Sequence, residues 1–129
     1  MIFCAAKFPR GVRLHTILLA DDQPELREVV SAILSDGGHT VLTASDGYEA
    51  LRLLAEHWVS LLITDVKMPG IDGFALARQA KVMRPNIHVI YISGYASGPE
   101  QSAGPTYGEI LNKPVRAGDL VEAVERALA

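Results

Sequence analysis

Three carboxylates stand where two apolar runs end. Thr16-Ile17-Leu18-Leu19-Ala20 leads directly into Asp21 and Asp22, and Leu61-Leu62-Ile63-Thr64 leads directly into Asp65. A short apolar run bounded by polar residues reads as a buried strand, so each acid falls at the carboxyl end of a strand. That edge is where open α/β sheets bind ligands. Acids gathered there repel one another unless a proton or a cation relieves them, and Mg²⁺, a hard ion that takes oxygen ligands, suits that task. Two more polar residues complete the set: Ser93 closes Tyr91-Ile92-Ser93, and Lys113 stands between a short apolar stretch and Pro114. Such a kit can handle a phosphoryl group. The metal and Lys113 neutralise phosphate oxygens, Ser93 donates a hydrogen bond, and one carboxylate attacks phosphorus.

These residues need a scaffold that brings them to one edge. From residue 16 the chain alternates strand and helix: strands at 16–20, 40–44, 61–64, 88–92 and 109–111, and helices from about Pro24, Gly47, Asp72 and Arg116. Pro24 suits a first helical position and Gly37-Gly38 a helix stop. Leu26, Val29, Val30, Ile33 and Leu34 recur at three- and four-residue spacing, which gives that helix one buried face. Ser45-Asp46-Gly47 reads as a turn and helix cap. Residues 96–106 have the length of a helix but hold two Pro and two Gly and lack a large apolar residue, so they predict at most a turn or two. Repeated βα units imply an α/β fold, a parallel sheet with helices on both faces, and leave the strand order open.

Bulk properties narrow the class. A chain of 129 residues with 49% hydrophobic content is one core-forming domain. Lys7, Arg10 and Arg13 fall in an acid-free start, so the overall charge of −3 leaves nine positives against fifteen acids, or −6, beyond it. An acidic body lacks the footprint of a nucleic-acid binder. No run reaches the ~18 apolar residues of a membrane span, so no membrane insertion is expected. Cys4, the single cysteine, excludes an internal disulfide and suits a reducing cytoplasm. Residues 1–14 read as an N-terminal extension, or as the product of a mis-set start codon, and residues 15–129 as the folded domain. The four histidines are scattered without ligand spacing and predict no histidine metal site or base.

The chain resembles the receiver domain of two-component response regulators over residues 16–128. The resemblance is carried by Asp21-Asp22, by Asp65 followed by Met68-Pro69-Gly70-x-Asp72-Gly73, by Ser93-Gly94 and by Lys113-Pro114, in order and each at a strand end. It implies a flavodoxin-like, doubly wound sheet of five parallel strands in the order 2-1-3-4-5, here with a weak or disordered fourth helix between strands four and five. It further implies that Asp65 is the phosphoacceptor, charged from the phosphohistidine of a sensor histidine kinase or phosphotransfer protein. Asp22 and Asp65 would ligate Mg²⁺ by side chain, Lys67 by its backbone carbonyl and Asp21 through water. Ser93 and Lys113 would hold the phosphoryl oxygens, and the Lys113-Pro114 bond would be cis. The protein would be a stand-alone phosphoacceptor, not an enzyme in the usual sense, that signals to a downstream protein target by contact or by phosphorelay.

The chain departs from the family pattern in places. Ile110 stands where receivers carry a signalling aromatic, and Tyr107, three residues upstream, is a candidate to take its place. Lys67 and Tyr95, two residues beyond Asp65 and Ser93, line the approach to phosphorus. The Ser-Gly-Tyr pattern and the weak fourth helix are similar to single-domain receivers in which that helix is disordered. Two rivals stand beside this reading: a receiver-like adaptor that acts without phosphorylation, and a small Mg²⁺-dependent phosphatase with an aspartate nucleophile. The phosphatase expects Asp-x-Asp, whereas Asp21 and Asp22 are adjacent and Gln23 follows.

Overall fold

The structure is a computed structural model that describes residues 15–94 and 107–129. Five strands form one parallel sheet: β1 (Thr16–Ala20), β2 (Thr40–Ala44), β3 (Leu61–Asp65), β4 (His88–Ser93) and β5 (Ile110–Asn112). Their order is β2-β1-β3-β4-β5, as the resemblance implied. Four helices are described: α1 (Pro24–Asp36), α2 (Gly47–Glu56), α3 (Gly73–Met83) and α4 (Ala117–Leu128). The expected weak helix at 96–106, the extension at 1–14 and Tyr95 lie outside the described residues.

Strand alternation divides the core into two layers. Leu18, Leu62, Val89 and Tyr91 face α2 and α3, where they meet Ala50, Leu54, Phe74, Leu76 and Ala80. Ile17, Leu19, Leu61, Ile63, Ile90 and Ile92 face α1 and α4, packing on Val30, Leu34, Leu120 and Val124. The three inner strands β1, β3 and β4 are thus buried on both faces, which is why they read as continuous apolar runs rather than as alternating ones.

Local chemistry sets the helix starts. Pro24 occupies the first turn of α1. Asp46 caps α2 by accepting the Glu49 N–H at 2.8 Å, while Glu49 Oε1 reaches back past the cap to accept the Ser45 N–H at 2.7 Å. Asp72 caps α3 by accepting the Ala75 N–H at 2.8 Å. At the opposite, amino end of the sheet lie His15, His39 and Ser60. The His15 N–H donates to His39 Nδ1 at 3.0 Å, and His15 Nδ1 meets Ser60 Oγ at 2.9 Å. Trp58, 75% exposed, lies just before β3 with the Arg84 guanidinium 5.3 Å from its ring centroid.

β5 sits one residue later than the sequence placed it. The Glu109 carbonyl accepts the Tyr91 N–H at 2.9 Å, but its carboxylate turns outward to a two-pronged pair with Arg126 at 3.1 and 2.9 Å.

Candidate functional site

Sheet register builds the site. Ala20 pairs with Thr64, so Asp21, the next residue, comes level with Asp65 at the carboxyl edge. Carboxylate oxygens of Asp21, Asp22 and Asp65 all lie within 4.8 Å of one another. Asp21 is completely buried, Asp65 is 4% exposed, and Asp22 faces solvent.

The backbone around Asp21 is fixed from two sides. Its N–H donates to the Ala44 carbonyl at 3.0 Å, and its carbonyl accepts from Arg27 Nη1 at 2.7 Å. Its Oδ1 accepts the Gln23 N–H at 2.8 Å. Its Oδ2 is buried and takes no hydrogen bond from any described residue. Burial pushes the Asp21 carboxyl above the usual carboxylate range; the Gln23 N–H opposes this, and the charge of Asp65 reinforces it. A buried carboxylate oxygen without a donor, beside two more carboxylates, is an all-oxygen set that fits a hard divalent cation.

Lys113 completes the edge from β5. Its Nζ lies 3.2 Å from Asp65 Oδ2 and 3.2 Å from Gln23 Oε1. Its N–H donates to the Ser93 carbonyl at 2.8 Å, which ties the ends of β4 and β5 together, and the Lys113-Pro114 bond is cis. Ser93 is 1% exposed and in register with Asn112, the residue before Lys113. Asp21, Asp22, Asp65 and Lys113 therefore meet through their side chains, and Ser93 joins them through the strand ends. Lys67 follows two residues after Asp65 with its side chain exposed.

The loop after Asp65 explains the Met-Pro-Gly-Ile-Asp-Gly sequence. Gly70 has φ +80°, the left-handed region that glycine enters without strain. Gly73 donates to the Val66 carbonyl at 2.8 Å, and a Cβ on it would strike the Asp65 carbonyl oxygen and come within 2.9 Å of Val66 Cα. The start of α3 thus presses against the backbone that carries Asp65.

Sequence reasoning passed over Gln23, which it met only as the residue after the acid pair. Its signal was its place, between two site acids and the proline that starts α1. The sequence also treated the histidines as scattered, whereas His15 and His39 come to a ring separation of 6.2 Å; among the described residues the one carboxylate or histidine group able to hold a metal is the Asp21-Asp22-Asp65 set.

Comparison with known proteins agrees with this geometry. The response regulator receiver domain model matches residues 17–125. The response regulator receiver protein CpdR of Brucella abortus (strain 2308) is 36% identical over 118 residues, a match spanning 89% of this chain and 98% of that protein. The transcriptional regulatory protein GlrR of Escherichia coli (strain K12) is 34% identical over 114 residues, but the chain spans 26% of its length. Among solved structures, a response regulator receiver domain protein of Clostridium thermocellum superposes with a TM-score of 0.76 at 32% identity, covering 89% of this chain and 94% of that one. The chemotaxis response regulator CheY4 of Vibrio cholerae superposes with a TM-score of 0.82 at 26% identity, covering 90% of this chain and all of its own. No helix among the described residues is long and apolar enough to cross a membrane. With an acidic pocket at the carboxyl edge of a 2-1-3-4-5 sheet and a family match over most of its length, the chain belongs to the response regulator receiver domains of two-component systems.

Proposed function

We propose that the protein is a stand-alone receiver that accepts a phosphoryl group on Asp65 from the phosphohistidine of a sensor histidine kinase or phosphotransfer protein. One observation carries the reading: the Lys113 ammonium is held 3.2 Å from Asp65 Oδ2, inside a triad of carboxylates. The receiver unit is residues 15–129, with 1–14 as an extension, and the protein works in the cytoplasm. The near-complete span of the Brucella receiver protein supports the stand-alone form.

In the transfer, an Asp65 carboxylate oxygen attacks phosphorus. The new O–P bond forms as the P–N bond of phosphohistidine breaks, and its electron pair returns to the imidazole nitrogen. Lys113 turns its ammonium to the phosphoryl oxygens, and Ser93 donates its hydroxyl to them. Asp22 and Asp65, the Lys67 carbonyl and, through water, Asp21 would hold Mg²⁺, which supplies charge neutralisation at those oxygens. Later attack by water on phosphorus releases inorganic phosphate and restores the Asp65 carboxylate.

Partners follow from surfaces beside the site. A groove of about 420 Å³ lined by Leu26, Val29, Pro114 and Val115 opens next to Lys113, and Val29 is 54% exposed; this suits the phosphodonor. The downstream protein target reads the β5 and α4 face. No nucleic acid and no membrane insertion enter the reading. The adaptor alternative is favoured by one feature, Ile110 in place of the signalling aromatic.

The test is incubation with Mg²⁺ and acetyl phosphate or beryllofluoride, followed by intact mass and NMR. One adduct on the native protein and none on Asp65→Asn is the expected result. An adduct that persists on Asp65→Asn, or none on either, removes the proposal, and continuous turnover of a generic phosphate ester transfers it to the phosphatase class.

A further inference from the structure

Gln23 touches both halves of the site. Its N–H holds Asp21 Oδ1 at 2.8 Å, and its side-chain oxygen accepts from the Lys113 ammonium at 3.2 Å, ninety residues away in sequence. It occupies the N-cap position of α1 but makes no side-chain cap bond. Its amide is spent on Lys113 instead.

We propose that Gln23 is a positioning residue for Lys113: a fixed pivot on which the ammonium turns from the Asp65 carboxylate to the incoming phosphoryl group. This rests on the phosphoacceptor reading of Asp65. The lysine ammonium carries three protons, and two are committed, one to Asp65 Oδ2 and one to Gln23 Oε1. When Asp65 becomes an acyl phosphate, its carboxylate charge is lost and its hold on the ammonium weakens. The bond to Gln23 does not involve the reacting atoms and survives the step, so the third donor and the one released by Asp65 reach phosphoryl oxygens from a held position. A long, rotamer-rich side chain gains most from such a hold. Arg27, bonded to the Asp21 carbonyl at 2.7 Å, fixes the turn from which Gln23 reaches.

The test uses the full chain with Gln23→Leu, which keeps the size and removes the acceptor, and Gln23→Glu, which keeps an acceptor oxygen. Acetyl phosphate serves as phosphodonor: the Asp65 oxygen bonds to phosphorus, the bond from phosphorus to the acetyl oxygen breaks, and acetate leaves with its electron pair. Intact mass follows the rate across donor concentrations and the final stoichiometry; calorimetry gives Mg²⁺ affinity. The Gln23→Leu variant should lose about 3- to 10-fold in maximal rate, with half-saturating donor, final adduct and Mg²⁺ affinity within about twofold of native, and Gln23→Glu should restore the rate. An unchanged rate in Gln23→Leu, or a Gln23→Glu as slow as Gln23→Leu, overturns the pivot while native uptake keeps the phosphoacceptor reading intact. Absence of uptake by the native protein removes both.

Discussion

The Lys113 ammonium and the Asp65 carboxylate form a 3.2 Å ion pair whose side chains are 23% and 5% exposed. Attraction at that range is on the order of 4 kcal/mol before the cost of desolvation is subtracted. The pair anchors β5 to β3 across the intervening β4, and it occupies the acid that carries the proposed chemistry.

Removing the ammonium should therefore separate metal binding from transfer. Lys113→Ala is expected to slow phosphoryl uptake by about 100-fold, the scale of losing one aligned charge donor at a developing anion. Mg²⁺ affinity, read by calorimetry, should hold or rise, because a cation leaves the neighbourhood of three carboxylates. Lys113→Arg should not restore the rate, since a planar fork cannot reproduce a point charge.

Asp21 tests the cost of the buried acid. Its carboxyl is raised by burial first, so the folded state holds a proton more tightly than the unfolded chain. Stability from this group is complete below the ordinary value of 3.8 and is lost as pH rises through the raised folded value. Asp21→Asn should raise metal-free unfolding free energy at neutral pH, read from urea curves, by about 1 kcal/mol and reduce the further stabilisation expected on adding Mg²⁺.

His39 should produce the opposite slope. Burial, and then the neighbouring His15, lower it from 6.5, so the unfolded chain takes up a proton first as pH falls. Its contribution is complete above pH 6.5 and is lost as pH drops through the lower folded value. Urea midpoints measured between about pH 5 and 7.5 should fall on acidification in the native protein and fall less in His39→Gln.

Gly73→Ala addresses the loop. The added methyl meets the Asp65 carbonyl and the Val66 Cα, neither of which is the end of a flexible side chain. A loss of about 1–3 kcal/mol in unfolding free energy, read from urea curves, is expected, together with weaker Mg²⁺ binding, because the displaced backbone carries Asp65.

Most of the fold was legible because β1, β3 and β4 are inner strands, and burial on two faces writes itself as unbroken apolar runs that end at Asp21, Asp65 and Ser93. Strand order was not legible from alternation and came from the resemblance. Long-range pairings were equally silent: nothing in the sequence links Gln23 to Lys113, or His15 to His39, until the strands are set side by side. Ile110 looked like a missing aromatic. In the sheet it lies beside Tyr91, whose buried ring packs 5.0 Å from Phe74 and whose hydroxyl accepts the Tyr107 N–H at 3.2 Å.

Trp58, the sole tryptophan, lies before β3 begins, while Asp65 closes that same strand. Five residues at roughly 3.3 Å each set the fluorophore on the order of 17 Å from the acids. Intrinsic emission will consequently be a distant reporter, insensitive to local events around the carboxylates. Any spectral response to magnesium or to a phosphate analogue would mean that β3 relays the disturbance along its whole length to the far pole of the molecule.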